Sequence, residues 1–364
     1  MRSLPIILLL APATLAAQGA PTDSAASRRI LPLPAIFYTP ETKLGGGAAI
    51  TVVQRRAAAA ADDRPTSLSL VALYTQLAQL NTSVGADWWS RGNRWNVNTG
   101  AGFQRFPFTY YGTGSAVPDS GEEYTPRALS LSAGAQRLVR RGLYVGGMTS
   151  WDDVTMLETA DDGVLRAGTI AGSRGGTVST ASALLTWDTR DNLYYAERGA
   201  FVRLQALGAA RVLGGDFAFR RVSLDARRFI ALQASRPARQ ARTLALQGMV
   251  TTTGGTVPFD RLAQFGGANV VRGYYEGRFR DRAAAAVQAE LRQPVWKRVG
   301  VAAFYGAGEV GPRLGALKLG EARTAGGFGL RIALDAKEKI NIRIDQGMGQ
   351  GGSGGTYFTL GEAF

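Results

Sequence analysis

Apolar and polar residues alternate with a period of two along most of the chain. The alternation is sharpest at residues 340–345, where three Ile residues are interleaved with Asn341, Arg343 and Asp345. Successive side chains of a β-strand point to opposite faces of the sheet, so this pattern predicts a strand with one apolar and one polar face. An aliphatic face opposite charged residues suits lipid on one side and water on the other, as in the wall of a membrane barrel.

Division of the chain by this alternation predicts an all-β fold, a 16-stranded antiparallel transmembrane β-barrel. The predicted strands lie near residues 31–38, 45–55, 66–76, 79–89, 93–104, 126–138, 141–152, 174–188, 199–209, 216–230, 241–253, 283–293, 299–308, 325–334, 338–347 and 355–364. The six Trp residues fall near strand ends, where the aromatic girdle of a barrel is expected: Trp88, Trp89, Trp95, Trp151, Trp187 and Trp296.

Connector lengths give an independent test of this division. The longest connectors, 105–125, 153–173, 254–282 and 309–324, all follow odd-numbered strands, whereas even-numbered strands lead into short links. Outer-membrane barrels have long extracellular loops and short periplasmic turns. The restriction of the longest connectors to odd-numbered strands therefore supports the strand count. It also predicts that the long connectors are extracellular.

The N-terminus has the features of an export signal. Met1 and Arg2 precede an apolar stretch that ends in small residues, which is too short for a membrane-spanning helix. We predict a cleaved signal peptide at residues 1–19, a short linker at 20–30 and the barrel at 31–364, and hence localisation in the bacterial outer membrane.

Composition restricts the chemistry that the chain can perform. It has no Cys and no His, which removes thiol and imidazole catalysis and the usual zinc and copper ligands. We expect no enzymatic activity, no catalytic residues, no metal and no cofactor. The net charge of +14 suggests either attraction to outer-membrane lipids and lipopolysaccharide or a lumen lined with Arg, and export argues against a nucleic-acid partner.

Both ends of the predicted barrel carry informative residues. Pro32 and Pro34 lie in the first predicted strand and have no backbone N–H, so the seam between the first and last strands should be weakly bonded, unless that strand starts only at Ala35. The last strand has the form of a C-terminal barrel signal with these members: Phe358, Leu360, Gly361 and Phe364.

Several motifs resemble those of the BamA/TamA family of outer-membrane barrels, which assemble or translocate other proteins. The central one is Val271-Arg272-Gly273-Tyr274 in connector 254–282. Further matching runs occur in the family's order: Trp187-Asp-Thr-Arg-Asp-Asn192, Glu197-Arg-Gly199, Ala289-Glu-Leu-Arg292, Phe304-Tyr-Gly-Ala-Gly-Glu-Val310, Gly327-Phe-Gly-Leu-Arg331 and Gly361-Glu-Ala-Phe364. The resemblance covers the chain from about Leu31 onward.

The resemblance implies a plug: the loop between strands 11 and 12 folds into the lumen, and its Arg pairs with acidic residues on strands 12 and 13. Alternation on strand 12 puts Glu290 inward, which makes it the expected partner of Arg272. The family's acid on strand 13 is replaced by Gly306, and the candidates for a second acid are Asp345, inward on strand 15, and Glu309. Glu290→Ala should then loosen the plug and raise ion conductance.

Two functions follow as alternatives. The first is membrane-protein assembly or translocation through the seam, with client membrane proteins as partners. Family members usually carry periplasmic POTRA domains before the barrel, and too few residues precede the first strand here, so a separate periplasmic partner is one expectation. The second is a passive or plugged pore, or a structural barrel without insertase activity.

Overall fold

The computed structural model describes residues 26–57, 63–233, 241–335 and 339–364. The predicted signal peptide, 1–19, lies outside these residues. The described chain forms a closed barrel of sixteen antiparallel strands, as the alternation predicts. Each strand pairs with its neighbour in sequence, and the first strand pairs with the last.

The barrel strands, numbered β1 to β16 in chain order, have the following bounds: Ser27–Thr39, Lys43–Arg55, Thr66–Thr75, Leu80–Trp89, Trp95–Arg105, Glu122–Arg140, Leu143–Thr159, Gly175–Asp188, Gly199–Ala209, Phe219–Ala231, Thr243–Gly255, Ala283–Trp296, Val299–Gly311, Arg323–Asp335, Ile340–Gly349 and Gly354–Leu360. Three short strands lie in connectors: Phe108–Tyr110, Ala263–Phe265 and Phe279–Asp281. Among the described residues, helical structure is limited to six three-residue 3₁₀ turns. No helix in this part of the chain is long and apolar enough to cross a membrane.

The predicted strand ends differ from the observed ones by four or more residues at four strands, one of which is β6, which begins at Glu122 rather than 126. β1 begins at Ser27 rather than near residue 31, so the end of the predicted linker 20–30 belongs to the barrel. β7 extends to Thr159 rather than 152, because the pairing with β6 continues beyond the apolar rows into the extracellular region. The last strand stops at Leu360 rather than Phe364.

Side chains inside and outside the barrel follow the predicted alternation. On β12, Val287 and Leu291 are exposed, whereas Gln288, Glu290 and Arg292 are buried. Several of the most buried large side chains of the described chain are charged, because they lie inside while the aliphatic rows face outward. A barrel wall that faces lipid requires this arrangement, with charged side chains inside and apolar side chains outside.

Four of the six Trp residues form a girdle at one rim, whereas Trp151 lies in the middle of β7, so its predicted place near a strand end was wrong. Trp88, Trp95, Trp187 and Trp296 are exposed and lie at the strand ends that carry the short links. Trp89 points inward and is only 6% exposed, so its assignment to the girdle was wrong. Since short links mark the periplasmic side, the girdle lies at the periplasmic interface.

The seam between β1 and β16 has far less pairing than the other strand interfaces. In the described residues its register consists of one Cα pair, Tyr38 with Phe358. β1 pairs with β2 along all 13 of its residues, including Pro32 and Pro34. β16 is the shortest barrel strand with 7 residues, and its shortness limits the pairing that it can offer to β1.

Candidate functional site: the connector arginine and its acidic partners

The connector between β11 and β12, residues 256–282, lies against the inner wall of the barrel; it is called the long connector below. Its two short strands pair with each other, with Phe265 opposite Phe279, and form a hairpin whose tip is residues 266–278. An apolar cluster joins the connector to the wall: Ala263, Phe265, Val271, Tyr274, Phe279, Ala284, Ala286, Val310 and Ala325. The wall supplies mostly Ala to this cluster, which leaves room for the aromatic rings of the connector.

The backbone at the tip of the hairpin requires glycine. Gly273 has φ +129, and a Cβ there would lie 2.9 Å from the backbone nitrogen of Gly349 on β15. Gly347 is equally close to the connector, because its Cβ would lie 2.7 Å from the carbonyl carbon of Arg272. Glycine tolerates positive φ and close backbone approach, so the connector and β15 can touch directly. This contact sets the depth of Arg272 in the lumen.

Arg272 is fully buried and binds two carboxylates. Its Nη2 donates to Glu290 Oε2 of β12 at 2.5 Å, and its Nη1 donates to Asp345 Oδ2 of β15. The guanidinium carbon lies 3.6 Å above the ring centre of Phe304 on β13. A buried guanidinium is tolerated only when carboxylates and further contacts offset its desolvation, and this fork-like arrangement supplies both.

The same two carboxylates bind further arginines of the wall. Arg331 of β14 binds Asp345 Oδ1 at 2.6 Å and lies 3.3 Å from Glu290 Oε2. Arg292 donates to Glu290 Oε1 at 2.8 Å. Arg343 lies 3.5 Å from Asp345 and donates to Thr359 Oγ1. The site is therefore a network to which the long connector contributes Arg272 as its cation and Asn269 as an acceptor, since Arg343 Nη2 donates to Asn269 Oδ1 at 3.1 Å.

The arginine network continues to the C-terminal segment. Arg331 Nε donates to Glu362 at 2.8 Å, and Arg292 Nη2 donates to the main-chain oxygen of Phe364 at 2.8 Å. Gly361 has φ +78, so the chain turns inward after β16, and the Phe364 ring packs against Phe229 and other residues of the lumen. The prediction that β16 runs to Phe364 was wrong, because this turn ends the strand.

The other predicted site residues take different positions. Val271 is buried in the apolar cluster, and Tyr274 donates its hydroxyl hydrogen to the main-chain oxygen of Thr324 at 2.7 Å. Phe358 lies opposite Ile344 on the outward face. The backbone of Leu360 ends β16, and its side chain lies outside the described residues.

Glu309 does not substitute for the missing acid of β13. It lies opposite Ala285, on the row that alternates with the inward row of Glu290, and so it faces the outside of the barrel. One of its carboxylate oxygens is buried without a hydrogen bond. Asp345 occupies the second acidic position beside Arg272, although it comes from β15.

Sequence reasoning missed Arg331, Arg343, Glu362 and Tyr357 as members of the site. The alternation of Gly327, Gly329 and Arg331 on one face of β14 could have revealed the first of these. Gly329 lies opposite Asp345, and a Cβ there would collide with the Asp345 carboxylate, so the pairing of Arg331 with Asp345 depends on this glycine.

The long connector also binds both sides of the seam. On the side of the last strand, Gly273 N donates to Tyr357 Oη at 3.1 Å, and Tyr357 Oη donates to Tyr274 O at 3.3 Å. On the side of the first strand, Glu276 N donates to Glu41 Oε1 at 2.9 Å, in the turn between β1 and β2. Residues 273–276 therefore bridge the weakly paired seam from inside the barrel.

Comparison with known proteins identifies similar chains. The sequence profile of the Omp85 superfamily domain matches residues 65–364. The structure is similar to that of BamA from Haemophilus ducreyi lacking POTRA domains 1–3, with a TM-score of 0.59, 14% identity, and coverage of 93% of this chain and 70% of that one. It is also similar to CdiB from Acinetobacter baumannii, with a TM-score of 0.58, 12% identity, and coverage of 92% and 65%. Comparison of the sequence with curated proteins gives no match.

Proposed function

The chain belongs to the Omp85 superfamily, and from that premise we propose that it assembles or translocates proteins at the outer membrane through the seam between β1 and β16. The predicted resemblance to the BamA/TamA family is confirmed, and membership of this family of barrels indicates an outer-membrane protein. Export by the signal peptide at residues 1–19 is part of the proposal. The single observation that carries the proposed route is the one-pair register of the seam.

A seam of this kind offers strand edges to a client. When β1 and β16 separate, each exposes a row of unpaired N–H and C=O groups, which is a template for adding another strand. The strand pairing itself resists separation weakly, since one Cα pair joins β1 to β16, whereas ten pairs join β13 to β14. We propose that a client strand pairs with the open edge and is then released into the lipid.

The long connector acts in this proposal as both plug and brace. Its contacts with Tyr357 and Glu41 hold the two sides of the seam together from inside. Its Arg272 is fixed by Glu290 to β12 and by Asp345 to β15, the neighbour of β16, so the brace is anchored on the side of the last strand. Release of residues 273–276 would then have to accompany opening.

A disulfide across the seam tests this route. The chain has no native Cys, so Tyr38→Cys with Phe358→Cys places one unique pair at directly opposed positions. We expect the oxidised double variant to fail to restore outer-membrane protein levels in cells depleted of the native protein, and a reducing agent to restore activity. The readout is a census of outer-membrane proteins after depletion and complementation.

A matched disulfide elsewhere in the wall serves as the control. Leu204→Cys with Leu224→Cys joins the directly opposed residues of β9 and β10, at an interface that the route leaves closed. This variant should retain full activity when oxidised. Full activity of the oxidised seam variant would exclude lateral opening as the route.

A plugged pore is the second candidate function. Two cavities, of about 340 and 230 Å³, lie inside the barrel, and strands β4 to β9 supply much of their lining. Barrels of sixteen strands enclose enough space for an aqueous channel. Single-channel recording separates the candidates, because an open pore conducts steadily, whereas a barrel held closed by the long connector gives only brief openings.

We also propose lipopolysaccharide as a lipid partner. Arg105 and Arg127 lie directly opposite each other on the outward face, at the extracellular end of β5 and β6. Like charges at opposed positions repel each other, and the nearby carboxylate of Glu158, 3.8 Å from Arg105, sets a single negative charge against these two positive ones. Phosphate groups of the outer leaflet would supply a further anion at the extracellular end of these strands. Client proteins and a separate periplasmic partner remain part of the proposed function.

A further inference from the structure

A polar cavity of about 230 Å³ lies inside the barrel at the periplasmic end of strands β4 to β9. Its lining includes three guanidinium groups, Arg64, Arg190 and Arg203, and two carboxylates, Asp87 and Asp188. The lining therefore carries one positive charge in excess. None of these residues belongs to the network around Arg272.

The first carboxylate, Asp188, is already fully engaged. Arg190 donates to it with its backbone N and its Nε, at 3.1 and 3.0 Å from Oδ1, and with Nη2 at 3.0 Å from Oδ2. Arg64 Nη2 donates to the same Oδ2 at 3.0 Å. Two arginines thus share Asp188, and neither depends on a ligand for a partner.

The neighbouring carboxylate Asp225 of β10 is engaged in the same way. Arg227 donates to it with Nε, at 3.1 and 3.0 Å from its two oxygens, and with Nη2 at 2.6 Å. Gln247 Nε2 adds a fourth hydrogen bond at 2.9 Å. Asp225 lies directly opposite Arg203, yet its acceptor positions are taken by these other donors.

Arg203 of β9 is left as the unmatched cation of the cavity. Among the described residues its one hydrogen bond runs from Nε to Thr186 Oγ1 at 3.4 Å, which leaves both Nη atoms available. Its guanidinium carbon lies 5.2 Å from the ring centre of Phe201, the same ring that Arg190 and Arg227 approach at 4.6 and 5.3 Å. The Phe201 ring therefore lies beside Arg203, which lines the cavity and, like Arg190 and Arg227, contributes positive charge around this ring.

We propose that this cavity binds the carboxylate group of a small organic acid, with Arg203 as the residue that receives it. The two free Nη groups form the planar fork that matches a carboxylate. A single excess charge suits a monoanion better than a phosphate monoester, which carries about 1.5–2 negative charges near neutral pH.

The remaining wall of the cavity suits an aromatic or planar body on that acid. Trp89 and Tyr144 meet edge to face, with ring centres 5.8 Å apart, and Phe201 lies on the same lining. Asn96, Asn98 and Gln136 add polar side chains to the lining. The site is independent of the seam, so it stands whether or not the proposed assembly function does.

Calorimetric titration of the folded, detergent-solubilised protein with benzoate tests the site, with neutral benzamide as the matched ligand. We expect benzoate to bind and benzamide not to bind. Arg203→Gln should weaken benzoate binding by roughly tenfold or more, because it removes a charge-assisted hydrogen-bond pair. Arg220→Gln, at an exposed arginine on the neighbouring strand, should leave binding unchanged.

Heat-modifiable electrophoretic mobility verifies that each variant is folded before titration. N-acetylphenylalanine, a mimic of a polypeptide terminus, distinguishes the sources of the carboxylate. If N-acetylphenylalanine binds more tightly than benzoate, the natural ligand is a polypeptide terminus. If it binds more weakly, the natural ligand is a free acid, and either result supports the site. Absence of benzoate binding to the wild-type protein, or equal binding to folded Arg203→Gln, would overturn it.

Discussion

Arg272 shows how a single charged residue can fix a long segment inside a membrane protein. Its side chain is fully buried between Glu290 and Asp345, and Phe304 covers one face of the guanidinium. Leaving a buried charge without its partner costs far more than the pair contributes, because desolvation is then not compensated. The long connector is therefore most strongly attached at this residue.

Replacing Glu290 tests that attachment. Glu290→Gln keeps the shape of the side chain but leaves Arg272, Arg292 and Arg331 with one carboxylate fewer. We expect the free energy of unfolding to fall by about 3–5 kcal/mol, measured by urea unfolding in detergent. Glu158→Gln, at an exposed carboxylate 3.8 Å from Arg105, should change it by less than about 1 kcal/mol. Equal effects of the two substitutions would contradict the assigned role of Glu290.

Glu276 gives the long connector a dependence on pH. Burial, and secondly the nearby Glu41, raise the pKa of Glu276 above its ordinary value of 4.5, while Arg280 opposes the shift. Between 4.5 and the raised pKa the folded protein binds more protons than the unfolded one, so stability declines as pH rises through this interval. We expect Glu276→Gln to flatten this decline, measured by thermal unfolding between about pH 4.5 and pH 8. A wild-type profile that rises with pH in this interval and is unchanged in Glu276→Gln would contradict this assignment.

At the scale of elements, the period-two alternation explains why strand positions could be predicted while several strand ends could not. Lipid outside and water inside constrain every residue of the wall, so β12 and β15 were predicted with the correct faces. Beyond the hydrocarbon region this constraint ends. β7 therefore continues to Thr159, and β16 stops where Gly361 turns the chain inward, without a sequence period to mark either point.

The inward C-terminal segment should contribute to stability as a small core of its own. Phe364 is only 7% exposed and packs against Phe229 and Ala245. Phe364→Ala should lower the free energy of unfolding by about 3–5 kcal/mol, as for a buried Phe in other cores. Phe328→Ala, at a ring that is 61% exposed, is the matched control and should have a smaller effect in detergent. An equal loss of unfolding free energy in Phe364→Ala and Phe328→Ala would place the Phe364 ring outside the lumen.

For the whole molecule, alternation and spacing predicted the strand count and the parity of the connectors. The pairing of Arg272 with Glu290 was predicted from the family resemblance, and alternation supplied only the inward face of Glu290. The extended network could not be predicted in the same way. Its members come from β12, β14, β15 and the C-terminal segment, and their meeting depends on barrel closure and on small residues such as Gly329. Curvature and stagger of a closed sheet leave no local pattern in the chain.

Removal of the hairpin tip tests the long connector as a plug. Replacing residues 266–278 by a short Gly-Ser link should convert brief openings into steady conductance in planar bilayers, because it removes Arg272 from the lumen together with Val271 and Tyr274 of the apolar cluster. Shortening connector 312–322, which does not contribute to the cluster, is the control. Unchanged conductance after removal of the tip would show that another segment closes the barrel.

Residues 273–276 are attached to Tyr357 on one side of the seam and to Glu41 on the other. These attachments couple opening of the seam to displacement of the plug, two events that could occur separately in a barrel without them. Before the barrel can open between β1 and β16, the long connector must release its contacts on both sides of the seam. Each round of client release would then coincide with a momentary leak of ions between the two compartments, and cells in which the protein is most active would be the most permeable to small solutes.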